Sequence, residues 1–114
     1  MEIDKGLIGG STPLLILSLI ESRDRYGYEI IGELELRSDR TFRFKEGSLY
    51  PVLHKFEKRG LIQSYLKKSE NGRERKYYKI TKEGLKQLEV EKKQWETFSR
   101  SVNQVIGGEV YDFA

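Results

Sequence analysis

The sequence predicts a mainly α-helical domain carrying one small β-hairpin, with a long last helix that needs a partner. Three observations carry this reading. Apolar residues recur at helical spacing in three segments, an Asn-Gly pair separates two runs rich in Tyr and Ile, and the C-terminal third holds an apolar stripe close to a heptad. At 114 residues the chain fits one domain with an appended element, since domains take roughly 100 to 200 residues.

Ser11-Thr12-Pro13 resembles a helix start, with a capping hydroxyl and a proline in the first turn, and predicts helix 1 over about residues 12 to 23. Leu14, Leu15, Ile16, Leu17, Leu19 and Ile20 make that helix apolar on nearly every face, so something must cover it all round. Arg23 to Gly27 reads as a turn, and Ile30, Ile31 and Leu34 then give helix 2 over about 27 to 37. The stretch from Ser38 to Lys45 is polar and basic. Gly47-Ser48 opens helix 3, in which Leu49, Val52, Leu53 and Phe56 form an amphipathic stripe. Ser48 is the expected cap and Pro51 is placed in the first turn, where a missing N–H is harmless. Gly60 ends the helix as a left-handed cap. Residues 61 to 68 and 73 to 80 form two strands around Ser69-Glu70-Asn71-Gly72, a strong hairpin signal. Thr81 then caps a last helix over about 82 to 106, carrying Leu85, Leu88, Trp95, Phe98, Val102 and Val105 on one side. Gly107-Gly108 stops it.

The charge is concentrated. Residues 37 to 79 hold thirteen of the 21 Lys and Arg but only five of the 18 acids, while the flanks are net acidic. Such a basic middle is the footprint expected of a phosphate-binding face, with an ordinary solvated charged surface as the other reading that charge alone leaves open. Other classes are set aside by composition. There is no cysteine and one histidine, which removes disulfides, thiolate chemistry and zinc fingers and leaves no expected metal or cofactor. The apolar run from Leu14 to Ile20 is far short of the roughly 18 residues a membrane span needs. No basic segment leads into a cleavable signal, so a cytoplasmic protein is expected. His54 has no nucleophile or metal ligand beside it, and Gly6, Gly9 and Gly10 lack the strand and Gly-Lys-Ser/Thr ending of a phosphate loop. No constellation supports an enzyme.

Three helices followed by a basic hairpin is the order of a winged helix-turn-helix, in which helix 3 enters the major groove and the hairpin meets the flanking backbone. The stretches YGYEI (26 to 30), GSLYPVLHKFEKRGLI (47 to 62) and RKYYKITKEG (75 to 84) resemble the signature blocks of PadR-family transcriptional regulators. The single C-terminal helix with Trp95 is similar to the short subfamily, which includes multidrug-binding members. The resemblance implies a homodimeric DNA-binding repressor whose last helix packs on the partner's first helix. It also implies that Trp95 and its symmetry mate flank an opening where planar hydrophobic compounds stack.

The domain plan is thus a winged helix-turn-helix over 1 to 80, a dimerisation helix over 81 to 107 and a flexible tail over 108 to 114. The expected DNA contacts are Lys45, Ser48, Tyr50, His54, Lys55, Arg73 and Lys76, with Tyr50 open to two readings, phosphate contact or packing. Trp95 and Phe98 are the expected ligand residues, and Leu15, Leu19, Leu88, Trp95, Val102 and Val105 the expected dimer contacts. The function expected is sequence-specific repression of transcription on a double-stranded operator. The alternative is a winged-helix interaction module whose basic wing binds acidic partners.

Overall fold

A computed structural model describes residues 3–107. Its elements run α1 (Lys5–Ser22), β1 (Arg25–Tyr26), α2 (Gly27–Arg37), α3 (Glu46–Lys58), β2 (Ile62–Lys68), β3 (Glu74–Ile80) and α4 (Lys82–Ile106). Helix α1 begins seven residues before the expected start because the Asp4 carboxylate accepts a 2.8 Å bond from the Gly6 N–H, capping an earlier turn. Three glycines hide this turn from propensity, and Pro13 lies inside the helix rather than at its start. Ile16, Leu17, Leu19 and Ile20 are buried, whereas Leu14 and Leu15 are half-buried and Leu7 is exposed.

The expected turn after α1 is a short strand. Arg25 and Tyr26 pair antiparallel with Tyr78 and Tyr77, giving a three-stranded sheet in the order β1-β3-β2. Two residues carry no periodicity, so only the partner strand reveals them. Arg25 is buried there: its Nε donates to the Leu19 carbonyl at 2.8 Å and one amino group to Ser22 Oγ at 3.1 Å, closing the C-terminus of α1. Burial lowers its pKa, against a raising contribution from Glu33.

Helix α2 starts where expected, with Glu29 Oε1 accepting the Tyr26 N–H at 3.2 Å. Asp39 and Arg40 then take positive φ angles of 51° and 65° in the turn between α2 and α3. The polar stretch that follows is tied down by Phe42 and Phe44, both packed on the core. Helix α3 opens on Lys45 as N-cap, so Ser48 is its third residue rather than its cap, and Pro51 is its sixth residue rather than part of the first turn. Its end is as expected. Gly60 has φ 73°, its N–H donates to the Glu57 carbonyl, and the Leu61 N–H reaches back to the Phe56 carbonyl at 2.9 Å. In the hairpin Gly72 has φ 83° after a turn closed by its N–H to the Ser69 carbonyl, and Thr81 Oγ1 accepts the Gly84 N–H at 3.0 Å to cap α4. The residues after Gly107, including the expected tail, lie outside the described residues.

One core joins the elements: Ile16, Leu17 and Ile20 of α1 meet Ile30, Leu49, Leu53, Phe56, Ile62, Tyr78 and Leu88. The close seating of α4 on the sheet depends on Gly84, because a Cβ there would strike the Leu61 carbonyl oxygen and Ile80. Beyond Leu88 the helix runs along α1, whose N-terminal half meets it.

Candidate nucleic-acid interface

Helix α3 divides its faces as a recognition helix must. Leu49, Leu53 and Phe56 are buried, and the opposite side presents Ser48, His54, Lys55, Lys58 and Arg59 to solvent. Lys45 is exposed at its N-terminus. With α2 preceding it across the turn, this is a helix-turn-helix, and β2 and β3 project beside it as the wing. Tyr50 does more than face solvent. Its ring lies across Gly27, the first residue of α2, so closely that a Cβ at Gly27 would overlap the Tyr50 hydroxyl. A side chain at 27 would therefore have to displace the Tyr50 ring, which remains 40% exposed above the glycine. Beside this contact the Glu46 carboxylate holds the Tyr28 hydroxyl above the usual phenol range.

The wing is attached to α3 through Glu57. Ser64 Oγ donates to Glu57 Oε2 at 2.8 Å and Lys76 Nζ stands 3.4 Å from Glu57 Oε1. Lys76, expected on DNA, pairs with this acid while its side chain stays half exposed, and lies 5.6 Å from the Tyr78 ring centroid. Arg73 is exposed at the wing tip and, with Lys45 and Lys55, forms no ion pair among the described residues. On the far side of the sheet Tyr65 donates a 2.6 Å hydrogen bond to Asp24, which, with burial, pushes its pKa up to about 12. Burial does the same to Tyr78. Neither Asp24 nor Arg25 stood out in the sequence, because their partners lie in other elements.

The second cluster lies between α1 and α4. A groove of about 930 Å³ is lined by Leu7, Ile8, Leu14, Phe42, Trp95, Phe98 and Val102 among others. Trp95 and Phe98 are exposed with ring centroids 6.3 Å apart, and Val102 and Val105 are also exposed. Of the expected dimer residues, Leu19 and Leu88 are corrected: they are 3% and 0% exposed within the single chain, so its own core already uses them. Leu15 is half-buried. No group of three or more His, Cys, Asp or Glu able to hold a metal occurs among the described residues, and no described helix is long and apolar enough to cross a membrane.

A basic recognition helix set in a three-helix core with a cationic wing defines a winged-helix DNA-binding regulator. Residues 16–90 match the model of the PadR-like family of transcriptional regulators, and the chain belongs to that family. It is 36% identical over 102 residues to an uncharacterized protein of Lysinibacillus sphaericus, covering 90% of this chain and 94% of that one. Among solved structures, a PadR-like transcriptional regulator from Bacillus cereus is 38% identical, with TM-score 0.82 and coverage of 92% of this chain and 100% of that chain. A transcriptional regulator from Clostridium thermocellum is 35% identical, with TM-score 0.80 and coverage of 88% and 97%. Membership places the chain with transcriptional regulators rather than enzymes.

Proposed function

We propose that the protein is a cytoplasmic homodimeric repressor that reads a two-fold operator and is relieved by a planar hydrophobic compound. The observation that carries this is the pair of unlike surfaces on one small chain. Lys45, Ser48, Tyr50, His54 and Lys55 stand on the exposed side of α3 with Arg73 at the wing tip, while Trp95, Phe98, Val102 and Val105 leave an apolar face on α4. Apolar patches this continuous mark contact sites rather than ordinary surface. A second copy laid on the α1–α4 groove covers that face, and residues 81 to 107 then act as the dimerisation helix of a DNA-binding unit over 1 to 80. Two-fold symmetry sets half-sites one helical turn, roughly 10 base pairs, apart.

Where the two copies meet, Trp95 and Phe98 offer ring faces to a flat apolar compound; stacking contributes about 0.5 to 1.5 kcal/mol beyond area burial. Such a compound relieves repression only if it prefers a dimer geometry in which the recognition helices no longer match the half-sites. Sedimentation of the purified chain, selection of sites from random duplexes and titration of flat dyes against Trp95 fluorescence test the three parts. Trp95 is the one tryptophan, so quenching reports its site directly. A stable monomer at micromolar concentration, or dye binding undiminished in Trp95→Ala, refutes the dimer or the effector part respectively.

A further inference from the structure

The groove between α1 and α4 reaches one residue of the DNA-reading half of the chain. Among the described residues that line it, Ile3 precedes α1, the others belong to α1 or α4, and Phe42 alone comes from the helix-turn-helix. Phe42 is half-buried and packs on the core cluster. It stands three residues before Lys45, the N-cap of α3. Phe44 packs on the same core without lining the groove.

The segment that carries Phe42 is held against its own preference. Asp39 and Arg40 have φ angles of 51° and 65°, in the left-handed region that residues with a Cβ seldom adopt. Aspartate visits that region more readily than arginine does. Such a backbone persists only where the surrounding contacts impose it. Here the Arg40 N–H donates to the Glu35 carbonyl at 2.7 Å, the Thr41 N–H to the Ser38 carbonyl at 3.0 Å, and the Phe42 N–H to Ser38 Oγ at 2.9 Å. Arg43 also pairs with Glu35 at 3.6 Å, but its side chain is 66% exposed, so that pair is screened and weak. On the inner side the segment is fixed by the rings of Phe42 and Phe44, and one of the two faces the groove.

A compound in the groove alters α3 only if its contacts differ between two arrangements of the chain. Phe42 supplies that difference, because a flat compound set beside Trp95 and Phe98 would compete with the Phe42 ring for apolar space. Displacing the ring removes an inner anchor from a turn with two left-handed residues, and α3 begins where that segment ends. We propose that Phe42 is a positioning residue by which a planar apolar compound in the groove loosens the seating of α3 and lowers DNA affinity. This route rests on the effector reading above and adds to it a connection, within one chain, from the groove to the recognition helix.

Duplex affinity of the full chain is to be measured with and without 8-anilinonaphthalene-1-sulfonate, a flat apolar dye whose negative charge keeps it off DNA, in the parent, Phe42→Leu and Phe44→Leu. Saturable quenching of Trp95 reports occupancy of the groove in each. In the parent, saturating dye should weaken duplex binding by about 5- to 150-fold, the usual range of coupling between two sites, and duplex should weaken dye binding by the same factor. Phe42→Leu should still show quenching but cut that factor to about twofold, the level at which sites act independently. Phe44→Leu should keep it. Hydrogen exchange in the parent needs no variant and decides the matter even where Phe42→Leu fails to fold: dye should speed exchange at the Arg40, Thr41 and Phe42 amides. Coupling in Phe42→Leu equal to the parent's, an equal loss in Phe44→Leu, or unchanged exchange at those amides in a parent that couples overturns the Phe42 route and leaves the effector reading standing. A parent that binds no dye, or binds it without losing duplex affinity, overturns both.

Discussion

Gly27→Ala isolates the contact by which α2 holds the recognition helix. The backbone at Gly27 is not in the left-handed region, so alanine is compatible with it, and removing the freedom of glycine should contribute about 0.5 to 1 kcal/mol of stability. Against this, the new Cβ would overlap the Tyr50 hydroxyl and stand 2.8 Å from Cζ. The ring must swing aside, and an off-rotamer side chain costs about 0.5 to 1.5 kcal/mol. The two effects nearly offset, so Gly27→Ala alone should lie within about 1 kcal/mol of the parent by this difference. In a Tyr50→Ala background the clash is gone and only the gain remains. A double-mutant cycle by urea unfolding should therefore give a coupling of about 1 kcal/mol. Duplex affinity should fall in Gly27→Ala although the fold survives, because Tyr50 has been displaced from the exposed side of α3. A coupling no larger than about 0.3 to 0.5 kcal/mol, the level at which independent sites add, would refute the reasoning.

Leu88→Ala should cost about 2 to 5 kcal/mol, independent of protein concentration, since Leu88 is fully buried within one chain. Val102→Asp should instead shift the sedimentation equilibrium toward monomer, because Val102 is 37% exposed on the groove; an unfolded monomer in the second case and a dissociated one in the first would reverse the assignment. Glu57→Ala should cost about 1.5 to 3 kcal/mol, typical of a hydrogen bond to a charged group, and should raise amide exchange in β2; equal protection in parent and variant would show that Ser64 and Lys76 do not anchor the wing there. Alkaline unfolding follows from Tyr65 and Tyr78, both raised from 10.0 to about 12 in the fold. The folded chain holds these protons more tightly than the unfolded one. Their contribution is complete below pH 10 and declines as pH rises through about 10 to 12, so the unfolding midpoint in urea should drop across that window, and less steeply in Tyr65→Phe.

The amino-acid sequence by itself determined the elements whose signals are local. Thr81 and Gly107 bound α4, Gly60 closes α3, and Asn71-Gly72 turns the wing, because caps and turns are settled by a few adjacent residues and the φ angles they tolerate. The stripe Leu49, Leu53, Phe56 and the block from 47 to 62 likewise made the recognition helix and its family legible. The start of α1 was not, since its three glycines disfavour a helix that only the Asp4 cap and contact with α4 sustain. Strand β1 exists through pairing with β3, which lies about fifty residues on in the chain and leaves no period in a two-residue segment. The same holds at the candidate site. That Lys76 pairs with Glu57, that Tyr50 rests on Gly27, that Leu88 belongs to the chain's own core, and that Arg75 lies over the rings of Tyr26 and Tyr28 are decided by which surfaces meet. Composition located the positive charge in the middle of the chain; only tertiary contact, by bringing acids and rings to some cations and not to others, decided which of that charge is left to bind a ligand.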